Sequence, residues 1–153
     1  MTMMTVSETL DLKQLLSAIG DAVVITDGAG AITLWNPAAE RMFGHTEQEA
    51  LGASLDLIIP ERLRQRHWDG YHQTMRTGET KYGTTLLRVP AVHRDGSALS
   101  IAFTVAMLHA PDGSPSAVAA VIRDETSKFN EDRALRKKLV ELEQKLAALG
   151  QTP

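Results

Sequence analysis

A short alternating run that ends in Trp35-Asn36-Pro37 constrains this chain more than any other segment. Ile32, Thr33 and Leu34 alternate as a half-buried strand does. Asn36 then offers a side-chain acceptor for a helix N-terminus, and Pro37 suits the first helical position, where a missing N–H costs nothing. The strand must stop and a helix must start with no loop between them. Residues 37–43 read as that helix, and Gly44 ends it. Thr46 and Glu49 form a capping-box pair that starts a second short helix, ending near Gly52. Upstream, residues 22–26 are a β-branched run followed by the turn Asp27-Gly28-Ala29-Gly30, which makes a hairpin with the run around Ile32.

The remaining segments extend this pattern. Pro60 opens a longer helix over residues 60–76, with Gly78 near its end. Residues 83–92 read as a strand that Pro90 confines to an edge or a bulge. After the turn His93-Arg94-Asp95-Gly96, residues 97–108 alternate around Leu99, Ile101, Phe103 and Val105. Pro111-Asp112-Gly113 turns the chain into a last strand at residues 117–122. The fold class is α+β: a five-stranded antiparallel sheet with helices over one face. Leu12, Leu15, Leu16 and Ile19 mark one face of an N-terminal helix over residues 6–19. The chain divides into an N-terminal cap helix (1–19), the sheet domain (20–126), a C-terminal helix (127–149) and a tail (150–153).

Composition removes several function classes. A net charge of −3 over 153 residues gives neither a nucleic-acid footprint nor a polybasic membrane patch. There is no cysteine, hence no disulfide, zinc-thiolate site or thiol nucleophile. Neither a signal-peptide core nor 18 consecutive apolar residues occurs, so a cytoplasmic protein without membrane attachment is expected. Gly28 and Gly30 lie between strands rather than before a helix, and no Gly-x-Ser-x-Gly elbow is present. The expectation is a non-enzyme.

The segment Trp35-Asn36-Pro37-Ala38-Ala39-Glu40-Arg41-Met42-Phe43-Gly44 resembles the signature of PAS domains. Glu49-Ala50-Leu51-Gly52, Leu57-Ile58-Ile59-Pro60, Arg94-Asp95-Gly96 and Ile122-Arg123-Asp124-Glu125-Thr126 continue the likeness in the family's order. It spans about residues 19–126. The resemblance implies a curved sheet, a sensing role and transmission to a neighbouring helix; fold alone does not name the signal.

Residues 58–67, ending in His67, resemble the corresponding helix of FixL-type heme PAS domains. That likeness implies heme b with His67 as the iron ligand, a role that suits neutral imidazole, and a pocket walled by Tyr82, Phe103, Val105 and Ile122. The family pattern His-x-x-Tyr is His67-Trp68-Asp69-Gly70-Tyr71 here. Leu87 stands where that family carries an oxygen-binding Arg, and Arg88 falls on the opposite face of the strand. The alternative role for His67 is packing against the sheet edge, and the residues themselves name no cofactor. A flavin photosensor of the LOV class needs an adduct-forming Cys, which this chain lacks. Trp35 and Phe43 read as core, Glu40 as a partner for Arg94 or a solvated carboxylate, and His45 and His109 as solvated.

Leu135, Leu139, Leu142, Leu146 and Leu149 are spaced 4, 3, 4, 3, which is the a/d seam of a coiled coil. A parallel homodimer is expected, with Asp124 at the junction between the last strand and the coil. Three readings follow: a sensor or relay homodimer that passes a small-ligand or partner signal to an effector the sequence does not name; a heme-based gas or redox sensor; and a dimerisation module with no ligand.

Overall fold

The structure is a computed structural model that describes residues 4–80 and 82–150. The first three residues of the N-terminal cap segment and all of the tail after Gly150 lie outside the described residues.

Helix α1 (Leu12–Ala18) is shorter than the periodicity of residues 6–19 predicts. Asp11 accepts the amides of Lys13 and Gln14 and so sets the helix start, while Leu10 N–H closes a turn onto the Ser7 carbonyl. Strands β1 (Ala22–Asp27) and β2 (Ile32–Trp35) form the hairpin, and α2 (Pro37–Phe43) follows at once. The α2 boundaries are those expected: Asn36 caps the start, and Gly44 ends it in the left-handed region at φ 84°. The Thr46/Glu49 capping box is formed at α3 (Glu47–Ala50).

Two 3-10 turns (Leu55–Ile58 and Glu61–Leu63) precede α4 (Arg64–Thr77). The long helix expected from Pro60 is thus broken near Leu63, where no side chain caps the junction. Gly78 closes α4. Strand β3 (Leu87–Val92) is shorter than the expected 83–92, because Gly83 takes a positive φ and Thr85 N–H turns back to the Tyr82 carbonyl. Strands β4 (Ala98–His109) and β5 (Pro115–Asp124) are long, and α5 (Thr126–Gly150) completes the chain.

The antiparallel sheet has the order β2-β1-β5-β4-β3. Strand β3 is an edge, as Pro90 requires, and β5 is the central strand. The core lies between one sheet face and the helices. Ala22, Val24, Ile101 and Ile122 meet Ala38, Ala39 and Phe43 of α2 and Ile58 and Ile59 of the first 3-10 turn. Trp35 and Phe43 are fully buried with ring centroids 5.5 Å apart, as core residues should be.

Candidate functional site

Two regions bring together side chains that could carry function: the inner face beneath α4, and the junction where β5 becomes α5.

Two aromatic residues clamp α4 to the hairpin. Trp68 Nε1 donates to Asp56 Oδ1 at 2.7 Å, and its indole lies over Gly30, where a Cβ would come within 2.4 Å of the ring. One turn on, the Tyr71 hydroxyl donates to the Asp27 carbonyl and lies 3.0 Å from the Thr26 hydroxyl. Burial raises the Tyr71 pKa, and the neighbouring Asp27 adds to the rise against the hydrogen bond from Thr26. His67 stands beside this clamp, edge-on to Trp68 at 4.6 Å and tilted against Tyr71 at 6.0 Å. Its Nδ1 is buried and has no hydrogen-bond partner. Loss of hydration holds its pKa below the usual histidine value, opposed by the Asp56 carboxylate and reinforced by His72.

The expected pocket walls are only partly assembled. Leu87, Phe103 and Ile122 stand side by side in register across β3, β4 and β5, and Val105 is paired with Ala120. Ile122 is 3 % exposed within the core and Phe103 packs against that core. Tyr82 lies on the turn before β3 and is 42 % exposed. Heme tests this arrangement in two parts. A neutral, half-buried imidazole with an unpartnered nitrogen has the donor chemistry an axial ligand needs. On the wall side, Ile122 is a core residue and Phe103 is packed against that core. Two clefts, of about 220 and 290 Å³, are lined by neither His67 nor any of these four wall residues. Arg88 pairs with Ala102 on the face opposite Phe103, and its guanidinium meets Glu125 at 3.2 Å.

The junction is the more densely bonded region. The Asp124 carboxylate accepts the backbone N–H and hydroxyl of Thr126. Thr126 Oγ1 accepts Ser100 N–H at 3.0 Å, and Glu125 N–H donates to the Ser100 carbonyl at 2.8 Å. Arg123 forms a two-point pair with Asp21, just after α1, at 3.1 and 3.2 Å. The root of α5 is therefore tied to β4, to the edge strand and to the N-terminal segment. The cleft of about 220 Å³ opens here, between Leu86, Thr104, Val121 and these ion pairs. Beyond the root, Leu135, Leu139, Leu142, Leu146 and Leu149 are 47–73 % exposed.

Two sequence expectations change. Arg94 pairs with Glu49 rather than Glu40, whose carboxylate instead accepts Glu47 N–H at 2.7 Å. His45 is half-buried, edge-on to Trp35, and its Nε2 has no partner. No group of three or more His, Asp and Glu side chains placed to hold a metal ion occurs among the described residues. Sequence reasoning missed the pairings of Asp21 with Arg123, Arg88 with Glu125 and Trp68 with Asp56, whose members lie 12 to 102 positions apart. Only the Leu seam and the Asp124–Thr126 pair had a local signal. No helix among the described residues is long and apolar enough to cross a membrane.

Comparison with known proteins agrees with this geometry. An uncharacterised protein of Azorhizobium caulinodans is 35 % identical over 126 residues, covering 82 % of this chain and 17 % of its own length. The sensor protein FixL of Bradyrhizobium diazoefficiens is 32 % identical over 136 residues, covering 88 % of this chain and 26 % of its own length. The chain thus spans about a quarter or less of these relatives. The crystal structure of a PAS domain from Colwellia psychrerythraea superposes with a TM-score of 0.65 at 20 % identity, covering 76 % of this chain and 98 % of that one. The model of the PAS fold matches residues 10–124, and with the sheet order and helical layer described above, the chain belongs to the PAS family.

Proposed function

We propose that this PAS domain is a signal relay that works as a homodimer, passing a small-ligand or partner signal from its sheet through the Asp124–Thr126 junction into α5 and on to an effector. One observation carries the reading. A 25-residue helix leaves the central strand directly, and its leucine seam faces solvent. Five large apolar side chains in a/d spacing are exposed along one helix, an arrangement that fits a second copy. The role is binding and mechanical linkage, without catalysis. Leu139→Lys with Leu146→Lys places charges inside the seam, and light scattering at micromolar concentration should then report the monomer mass. An unchanged dimer, or a wild type that is already monomeric, overturns the reading.

A second reading, a heme-based gas or redox sensor ligated by His67, is favoured by the buried, unpartnered Nδ1 on a neutral, half-buried ring. It is opposed by the packing of Phe103 and Ile122. Titration with hemin decides between them. A Soret band that His67→Ala abolishes supports heme, and a protein that stays colourless removes it.

A further inference from the structure

We infer that the two α5 helices run parallel and in register, zipped from Leu135 to Leu149 but held apart at the root by Lys128 and Asp132. This rests on the homodimer proposed above and specifies its geometry. The spacing puts Leu135, Leu142 and Leu149 at d and Leu139 and Leu146 at a. The same unbroken helix, followed back toward the sheet, brings Asp132 to the next a position and Lys128 to the next d. Each would face its own copy across the seam, so both root layers set like charges together, and the apolar contact begins only at Leu135. The split falls within one continuous helix, about two turns from the Arg88–Glu125 ion pair and the Ser100 hydrogen bonds that tie its root to β3 and β4.

The flanks decide orientation. Glu131 and Lys138 occupy g, and Arg136 and Glu143 occupy e. In a parallel, in-register pair, g of one helix meets the following e of the other. That sets Glu131 beside Arg136 of the second copy and Lys138 beside Glu143 of the second copy, and both pairings are of opposite sign. An antiparallel pair aligns g with g and e with e instead, which sets Lys138 beside Lys145 as well as Arg136 beside Glu143, so only the parallel pair has flanks entirely of opposite sign. Charge complementarity thus selects a second copy of this helix, side by side and in step, as the occupant of the seam. The root is then the segment whose spacing the sheet can change, while the shaft keeps the dimer together.

The absence of cysteine makes a direct test simple, because a single introduced Cys is the only labelling site. Asn130 and Gln144 both lie at f, on the outer side of the coil. Spin labels on Asn130→Cys and, separately, on Gln144→Cys of the full chain report root and shaft spacing by pulsed dipolar spectroscopy. A narrow distance at position 144 and a broader, longer one at 130 is the expected result. Adding Lys128→Leu with Asp132→Leu should narrow and shorten the root distance to match the shaft. Equal narrow distances at both sites in the unsubstituted seam overturn the split, as does a root distribution that the two leucines leave unchanged. A long but narrow distance at 130 would reveal an antiparallel pair and overturn the orientation. No dipolar signal at either site, with a monomer mass, overturns the dimer itself, so the two failures are distinct.

Discussion

Asn36 joins three segments at once. Its Oδ1 accepts Val23 N–H at 2.9 Å and Ala39 N–H at 3.1 Å, while its Nδ2 donates to the carbonyls of Leu16 and Asp21. Asn36→Ala removes a cap and strands a buried strand amide, a loss of roughly 3 kcal/mol in urea unfolding. Asn36→Asp keeps the acceptors but turns a carboxylate toward two carbonyl oxygens, so it should also destabilise. The cap was legible because capping acts over three residues; the bonds to Val23 and Leu16 leave no local trace. Gly30 is similar. Its turn was readable, but the Trp68 ring that excludes a Cβ comes from 38 positions away. Gly30→Ala, at φ +85° against that ring, should cost about 3 kcal/mol. His67 adds a pH dependence. Its folded pKa lies below the unfolded value of 6.5, so the unfolded chain takes up the proton first and stability falls as pH drops below 6.5. Relative to His67→Leu, unfolding midpoints of the wild type should decline on acidification from pH 6.5 toward the lower folded value, and the offset between the two proteins should be constant above pH 6.5.

At the scale of elements, signals confined to a few residues gave accurate boundaries and longer periodicities did not. The Asn36-Pro37 start and Gly44 stop place α2 to the residue, whereas α1 and α4 are shortened by a cap at Asp11 and a 3-10 turn at Glu61–Leu63. Strand β3 loses its first residues to the turn at Tyr82, which is also why Tyr82 lies on a turn rather than within the strand. The inner wall was legible from alternation, but whether such a wall encloses a space depends on packing across elements, which alternation does not encode. For α5 the decisive information is charge order. Lys138→Glu turns the g–e pairing with Glu143 repulsive and should weaken dimerisation on the order of tenfold at low salt. Lys138→Glu combined with Glu143→Lys should restore it, as read by sedimentation equilibrium.

At the scale of the whole molecule, sheet order matters more than any single strand. Because β5 lies between β1 and β4, the helix that follows it is anchored to the middle of the sheet. The Arg88–Glu125 pair then links that anchor to the far edge, where Leu87, one residue earlier, faces the interior beside Phe103. The Arg88 side chain of this pair is exposed, so Arg88→Ala should change global stability by under about 1 kcal/mol. It should nonetheless speed amide exchange in residues 125–129, because it removes a tie between edge and root; unchanged exchange there would show that the edge does not hold the root. The order of elements was legible from the sequence. The ion pairs were not, since Arg123 and Asp21 are separated by almost the whole domain.

The length of α5 has a mechanical consequence. A straight helix of 25 residues is a rod about 37 Å long. Pivoted at its first turn, it behaves as a lever: a tilt of about 10° at the sheet carries the far end sideways by about 6 Å, close to one helical pitch. Side-chain repacking on the scale of a single methyl group at the fulcrum is thereby geared up to a displacement that any structure attached at the tip would register.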